Sequence, residues 1–403
     1  MTHTTGAREQ WIAGTRTAMR RTWAEINLDA VAHNLRTLRA LLTPSCQIMA
    51  VVKADAYGHG AIEVSRMALE AGATWLGVAT VEEGIAVRRA GIGTPVLILG
   101  ALHPDDIPLA LAQQLRVTIS SLEMLDALAG SITSSPPAGA HLKIDTGMMR
   151  LGVLPSDVPR VLDRLMQLRV PLEGCYTHLA CADDPDPSFT KEQLARFRSI
   201  LPEVKRAYPD VIIHTANSAA ALADPQTHDD LVRIGLALYG IYPADHLRNR
   251  VSLRPAMALK SRVVRTAQAS VGSTVSYGAT YRVRAPTAIA TIACGYADGY
   301  PRLAGDQGEV VIRGRRHRIA GSVCMDYLMV DIGDHPARVG DEVILFDDVV
   351  SVDEVAAWAR TIPYEILCGV GLRVPRIYLR GGRPVAASEA SREQGNAGTP
   401  REE

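Results

Sequence analysis

The chain has 403 residues, and 43 Lys and Arg balance 43 Asp and Glu, so the formal net charge is zero. At roughly 100–200 residues per domain, this length predicts two or three domains and a large buried core. The neutral balance argues against nucleic acid, whose binding needs a basic surface, and against attachment to an acidic membrane face.

No apolar run reaches the ~20 residues needed to cross a bilayer. The first twenty residues, MTHTTGAREQWIAGTRTAMR, lack the apolar stretch of a signal peptide. Cys46, Cys175, Cys181, Cys294, Cys324 and Cys368 are scattered, with no CxxC and no disulfide-like spacing. Free thiols in a reducing compartment are therefore expected. The expectation is a cytoplasmic protein that acts on small molecules.

From about residue 47 to 240, short apolar runs alternate with helical patterns. The runs are QIMAVVK, WLGVAT, PVLILGA, RVTIS, HLKID, LEGCYTHL, VIIHTAN and LVRIGLALYG. Between them lie AIEVSRMALEAG, VEEGIAVRRAG, DDIPLALAQQL, SLEMLDALAG, VPRVLDRLMQL and KEQLARFRSILPEVKRAY. In the fifth of these, Val158, Val161, Leu162, Leu165 and Leu168 fall at helical spacing. Near-continuous apolar strands that alternate with helices imply a parallel sheet. Eight such units in about 200 residues fit an α/β fold of the (β/α)8, TIM-like barrel type. A doubly wound sheet is the runner-up, but GxGxxG after the first strand is missing.

Beyond about residue 255 the texture changes. LKSRVVRTAQA, TAIATIACGYA, GEVVIRG, HRIAG, YLMVDIG and DEVILFDD read as strands separated by Gly and Asp turns. Only DEVAAWARTI reads as a helix there. A mostly β C-terminal domain follows, and the polar tail AASEASREQGNAGTPREE is expected to be disordered.

Barrel chemistry sits at the carboxyl ends of the strands. Lys53 ends the first strand, followed by Asp55, Tyr57 and His59. HLKID runs into TGMMR with Lys143, Asp145 and Arg150; His178, Asn217, Ser218, Arg233 and Gly235 follow three later strands. Taken singly, each has an ordinary reading: a solvated lysine, a satisfied structural histidine, an ion-paired arginine. His214, inside VIIHT, belongs to that ordinary class. Their convergence on one rim is more specific. A lysine desolvated in an apolar pocket can form a Schiff base, and pyridoxal phosphate is the cofactor that uses this most widely. Asn217-Ser218 before SAAALA and a turn at Gly235 offer donors for its phosphate, and Arg233 is a candidate partner for its pyridine nitrogen. GxxxxGK[ST], HExxH and GxSxG are absent. The acidic stretch ADDPDPS, with its two prolines, reads as a polar loop, so no metal is expected.

AVVKADAYGHG, HLKIDTGMMRLG, THLACADDPD, ANSAA, VRIGLALYGIYP, VSYGATY, GYADGY, GSVCMDYLMVDIG and RVPRIY occur in this order. In these motifs, from about Trp23 to Tyr378, the sequence resembles the alanine racemases, fold-type III pyridoxal-phosphate enzymes. The resemblance implies an extension over residues 1–21, a cofactor-binding barrel over 22–255, a β-rich domain over 256–385 and a tail over 386–403. It implies a homodimer in which that β domain completes the partner's site. Lys53 would hold the cofactor and act as base on one face of Cα. Tyr277 from the partner subunit would be the base on the other. Tyr57, Asn217, Ser218, Gly235 and Tyr364 would surround the phosphate. Arg233 would bind the pyridine nitrogen, and His178 would link it to Tyr277. Arg150 would orient the phenol and the substrate carboxylate, and Met325 would close the pocket. Lys143 matches a position that is carbamylated in many members of the family.

Racemisation takes a proton from one face of Cα and returns one to the other, so two bases are expected. The implied reaction is interconversion of L- and D-alanine, supplying D-alanine for peptidoglycan. The alternatives are a racemase of serine or of broader specificity, a fold-type III decarboxylase, and a non-catalytic cofactor carrier. The decarboxylase would need a catalytic Cys and acidic recognition residues in the β domain, and the carrier would be a barrel alone. Tyr277 as a packing aromatic, Met325 as core and a plain Lys143–Asp ion pair are the ordinary readings of those residues. Tyr296 and Tyr300 of GYADGY line an entrance or cover the sheet. Gly371-Leu372 and Tyr327 depart from the family's usual pattern.

Overall fold

A computed structural model describes residues 21–131 and 139–387. The expected N-terminal extension, up to residue 20, and the expected tail from residue 388 lie outside these residues. The chain divides into two compact units. One spans Ala30–Arg254; the other unites the segment ending at Asp29 with the segment that starts at Pro255.

All eight apolar runs of the first unit form strands. They are β2 (Gln47–Val51), β3 (Trp75–Val78), β4 (Val96–Ile98), β5 (Val117–Ile119), β6 (Ala140–Lys143), β7 (Leu172–Tyr176), β8 (Ile212–His214) and β9 (Leu231–Ile234). They pair in parallel in two orders, β4-β3-β2-β9 and β5-β6-β7-β8. Backbone bonds close the two halves into a ring. Ile98 N donates to Arg116 O at 3.0 Å and Arg116 N to Val96 O at 2.8 Å, which joins β4 to β5. Asp230 N donates to Ile213 O and Arg233 N to Ala216 O, both at 3.0 Å, which joins β8 to β9. Closure removes every strand edge, so the strands are apolar on both faces. Met49, Trp75, Leu97 and Leu231 form one buried cluster of this core.

Helices α1 (Leu28–Arg39), α2 (Ala61–Glu70), α3 (Val81–Arg89), α4 (Ile107–Ala112), α5 (Leu122–Ser131), α6 (Val158–Leu168), α7 (Ser188–Ala207) and α8 (Ser218–Ala223) run in chain order. Helix α6 shows how the sequence sets the packing. Val158, Val161, Leu162 and Leu165 are buried and Leu168 is half-buried, the stripe read from its spacing. The helix stops at Arg169, which takes a left-handed φ of 54°.

The barrel expected from residue 22 begins instead at Ala30. Strand β1 (Trp23–Asn27) belongs to the second unit, antiparallel to β10 (Met257–Ala269) and parallel to β18 (Arg376–Arg380). The reason is that β9 already pairs with β2, Gln47 opposite Leu231, so the ring offers β1 no edge. A buried Lys260–Glu25 pair at 3.0 Å fastens β1 to β10.

Around β10 and β1 the second unit builds a sheet in the order β15-β14-β17-β10-β1-β18-β19, with β13 joining β10 to β16. These strands are β13 (Thr287–Ile292), β14 (Glu309–Ile312), β15 (Arg315–Arg318), β16 (Leu328–Gly333), β17 (Glu342–Phe346) and β19 (Arg383–Ala387). Strand β19 takes in Ala386 and Ala387, opposite Tyr378 and Ile377, so these two residues of the expected tail are in a strand. A separate two-stranded ribbon pairs β11 (Thr274–Val275) with β12 (Tyr281–Arg282). The expected helix is α9 (Val352–Ala359). A second helix, α10 (Pro363–Gly369), differs from the expectation of a single helix there.

Candidate active site

In the barrel unit, the predicted residues lie at the carboxyl ends of β2, β6, β7, β8 and β9. Lys53 follows β2 and is half-buried. The next four residues form a left-handed turn, with φ of 52° at Ala54, 52° at Asp55, 54° at Ala56 and 53° at Tyr57. No glycine is among them, so the conformation is costly and must be imposed from outside. Glu83 on α3 does part of this, since its Oε1 accepts from Ala54 N at 2.7 Å and its Oε2 from Ala79 N at 2.6 Å. Asp55 Oδ1 accepts from Ala61 N at 2.7 Å and ties the turn to α2. The turn aims Tyr57 at the end of β9. A Cβ at Gly235 would stand 2.7 Å from Tyr57 Oη, so only glycine allows this approach.

Asn217 and Ser218 begin α8. Asn217 Oδ1 caps the helix by accepting from Ala220 N at 3.0 Å. Ser218 Oγ accepts from Gly235 N at 2.9 Å and from Ala237 N at 3.4 Å. Its own hydroxyl proton donates to no acceptor among the described residues and stands ready for an anion.

Arg233 is the centre of the site. It is buried, at 4% exposure, and burial lowers its pKa to about 10, so it stays charged at neutral pH. Nη1 donates to His214 O at 2.8 Å and to His214 Nδ1 at 3.1 Å. Nη2 donates to Thr177 O at 2.8 Å, to Thr215 O at 3.0 Å and to His178 Nδ1 at 3.3 Å. Among the described residues, nothing accepts from Nε.

An arginine can only donate, and this fixes the tautomers of its neighbours. Because Nδ1 of His178 accepts, its proton sits on Nε2. His214 likewise carries its proton on Nε2 and donates it to His141 Nδ1, 2.8 Å away. All three imidazoles are neutral. Burial, reinforced by Arg233, Arg150, Lys143 and Lys53, holds His178 well below its usual pKa. Burial, with Arg116 and Arg233, brings His141 down to about 3, and burial beside His141 and Arg233 keeps His214 well below its usual value. Tyr176 stacks on His214 at 4.6 Å and lies 5.2 Å from the Arg233 guanidinium. In the sequence His214 reads as an ordinary strand histidine, and neither His141 nor Tyr176 stands out. The one available signal was that all three lie on strands that enter the rim.

Lys143 is buried, at 4% exposure, and its Nζ donates to Leu151 O. Burial lowers its pKa to about 8, Arg233 and Arg150 adding to the effect and Asp145 opposing it. The ordinary Lys143–Asp ion pair is not formed with Asp145, whose carboxylate is otherwise engaged. Its Oδ1 accepts from the amides of Gly147, Met148 and Met149, and its Oδ2 from Arg150 N. Burial pushes the Asp145 pKa up, but these amides and Lys143 outweigh it and hold it low. The carboxylate thus shapes the loop that presents Arg150, which is exposed and whose guanidinium bonds to none of the described residues.

The β unit carries the remaining predicted residues. Tyr277 is 73% exposed at the tip of the β11–β12 ribbon. Met325 and Tyr364 are exposed as well, so Met325 is not core. Tyr296 is exposed, whereas Tyr300 is fully buried and its phenol pKa is pushed far up by burial. Tyr300 is therefore a core residue and lines no entrance. Leu372 and Tyr327, the departures from the family pattern, are both exposed. Among the described residues, no group of three or more His, Cys, Asp or Glu is arranged to hold a metal.

Two family descriptions match this chain: "Alanine racemase, N-terminal domain" over residues 26–243 and "Alanine racemase, C-terminal domain" over residues 256–378. It is 44% identical over 365 residues to the alanine racemase of Desulforamulus reducens, covering 89% of this chain and 98% of that one. The alanine racemase of Symbiobacterium thermophilum is also 44% identical, with 89% and 97% covered. Among solved structures, the alanine racemase of Clostridium difficile 630 aligns with a TM-score of 0.87 at 36% identity, over 92% of this chain and 99% of that one. The alanine racemase of Bacillus anthracis with bound L-Ala-P aligns with a TM-score of 0.87 at 37% identity, over 92% and 98%.

Proposed function

The chain belongs to the alanine racemase family, and on that premise we propose that it interconverts L- and D-alanine with pyridoxal phosphate as cofactor. One observation carries the cofactor assignment. The buried Arg233 has both terminal nitrogens saturated by carbonyls and imidazoles, and Nε is its remaining donor. That donor suits a ring nitrogen lacking its own proton. The Ser218 hydroxyl supplies a second unused donor, and Tyr57 Oη packs closely on Gly235 beside it. The residues therefore fit the group.

When bound, pyridoxal phosphate withdraws electrons from the Cα–H bond of an attached amino acid and acidifies that proton. The chain's own residues do the rest. Ser218, Asn217, Gly235, Tyr57 and Tyr364 would hold the phosphate, and Lys53 would hold the cofactor at its reactive carbon. Arg233 would donate through Nε to the ring nitrogen and, being a cation, would discourage its protonation. Lys53 takes or returns the Cα proton on one face. Tyr277, from the second subunit, does so on the other. The Nε2–H of His178 would donate to the Tyr277 oxygen, and Arg150 would orient the phenol and the substrate carboxylate. Met325 closes the pocket around a small side chain. We extend the proposal to a homodimer with shared sites, to a cytoplasmic location and to D-alanine supply for peptidoglycan. In the described residues, no helix is long and apolar enough to cross a membrane.

A purified-protein assay tests this reading. Borohydride reduction of the protein reconstituted with pyridoxal phosphate should fix the cofactor on the peptide that carries Lys53, read by mass. Chiral analysis of alanine, serine, lysine and arginine should then show conversion of alanine foremost, without carbon dioxide release. Carbon dioxide with an amine product would overturn the racemase assignment, and faster conversion of serine would overturn the substrate. Failure to label Lys53 would sink the cofactor assignment.

A further inference from the structure

Tyr277 sits on a strained tip. Ser276 has φ 66° and ψ −177°, a region nearly reserved for glycine, and Gly278 and Ala279 follow with φ of 76° and 50°. Such a backbone persists only where its surroundings hold it. Here the holding groups come from a second segment, residues 321–324. Ser276 Oγ donates to Ser322 O at 2.6 Å, and Ser322 Oγ donates back to Tyr277 O at 3.3 Å. Cys324 Sγ lies 3.4 Å from Ser276 Oγ. The two segments touch so closely that a Cβ at Gly321 would stand 2.6 Å from Val275 O and 2.7 Å from Ser276 Cβ, and φ at Gly321 is 81° besides. Asp306 joins the same two segments again. Its Oδ2 accepts from Thr280 Oγ1 at 2.8 Å and its Oδ1 from Gly321 N at 2.6 Å. At the base of the ribbon, Tyr281 donates to Asp331 on β16.

We infer that Ser276, Ser322 and Asp306 are positioning residues for the Tyr277 phenol. They lock a high-energy tip to the segment that carries Cys324 and Met325, so the base and the residue proposed to close the pocket move as one piece. The inference rests on the proposed role of Tyr277. Within one chain the phenol is exposed and no packing restrains it, so where it is presented to His178, Arg150 and Cα depends on the backbone at 276–280. An error of about 1 Å in such a group can cost about a hundredfold in rate. The reciprocal serine pair anchors the Ser276 side chain just before Tyr277 and the carbonyl just after its Cα.

The test uses Ser276→Gly, Ser322→Ala and Ser322→Thr in the holoenzyme. Ser276→Gly removes the hydroxyl while relieving the strain, so it remains able to fold. Racemisation and loss of Cα deuterium to solvent are measured separately for each enantiomer of alanine. With Tyr277 displaced and Lys53 intact, one enantiomer should still exchange its Cα hydrogen. Its exchange-to-racemisation ratio should rise about tenfold in Ser276→Gly and Ser322→Ala, with kcat falling and KM changing less than about twofold. Ser322→Thr keeps the donor and should restore the ratio. Independently of turnover, amide hydrogen exchange over residues 274–282 should quicken about tenfold in the two variants that lose the hydroxyl. Parallel loss of exchange and racemisation, or no change in either, would overturn the inference. Tyr277→Phe is the reference. If it raises the ratio and the serine variants do not, the positioning role alone fails. If Tyr277→Phe leaves the ratio unchanged, the base assignment itself fails.

Discussion

Lys143 illustrates what burial does to a single side chain. Its amine is enclosed and held by Leu151 O, and its pKa falls to about 8. Near that pH a substantial share of the amine is neutral, and only the neutral amine can add carbon dioxide, forming a carbamate and releasing a proton. The product would be an anion beside Arg150, whose guanidinium bonds to no described residue. Equilibration with labelled carbon dioxide should give a carbamate signal by carbon-13 NMR that Lys143→Met lacks. The unmodified lysine also makes a linkage prediction. Its folded pKa lies below the unfolded value of 10.5, so between the two the unfolded chain binds more protons. Stability should then rise as pH climbs from about 8 to 10.5, and the penalty should be constant below pH 8. Melting of carbon-dioxide-free protein should show this rise, and Lys143→Met should flatten it. The position was legible only through the motif around it. His214 marks the opposite case. Its sequence context is an apolar strand, and its role as acceptor from Arg233 depends on β8 and β9 lying side by side, which no local pattern encodes.

At the scale of elements, the barrel strands were legible because each is apolar on both faces and bounded by polar turns. Helix α6 was legible because its burial follows its spacing. The failures have physical reasons as well. Strand β1 is short, and its place between β10 and β18 is a long-range pairing. Helix α10 buries only Ile366 and Leu367, too few to show a helical period. The turn after Lys53 was illegible because it runs against propensity. KADAY contains no glycine, yet Ala54 to Tyr57 are all left-handed. That strain is stored at the residue proposed to hold the cofactor, with Glu83 and Asp55 holding the turn in place. Ala54 is exposed, and its side chain is the part that opposes the conformation. Ala54→Gly should therefore stabilise the fold by about 1 kcal/mol, measured by urea unfolding of the cofactor-free protein. A loss of stability would mean that the turn is less strained than its dihedrals imply. The same variant should bind pyridoxal phosphate no more tightly, because a freer turn holds Lys53 less firmly.

For the whole molecule, zero net charge is compatible with a locally cationic site. Lys53, Lys143, Arg150 and Arg233 gather at the rim proposed to take an anionic cofactor, with the carboxylates of Asp55 and Asp145 among them. What composition could suggest was a second, β-rich unit; what it could not say is why a barrel needs one. The proposed bases answer this, since Lys53 belongs to one unit and Tyr277 to the other. Whether a site draws both from one chain or from two is a question of symmetry, and subunit mixing decides it. In a twofold dimer with shared sites, Lys53→Ala and Tyr277→Phe homodimers are each defective at both sites. A heterodimer of the two variants has one site with both defects and one site with neither. Isolated through two different affinity tags, that heterodimer should recover about half the wild-type activity per dimer. If each site drew both bases from its own chain, every site in the heterodimer would keep one defect and no activity would return. Recovery near half would therefore establish the shared site, and its absence would place Lys53 and Tyr277 of one chain in the same site.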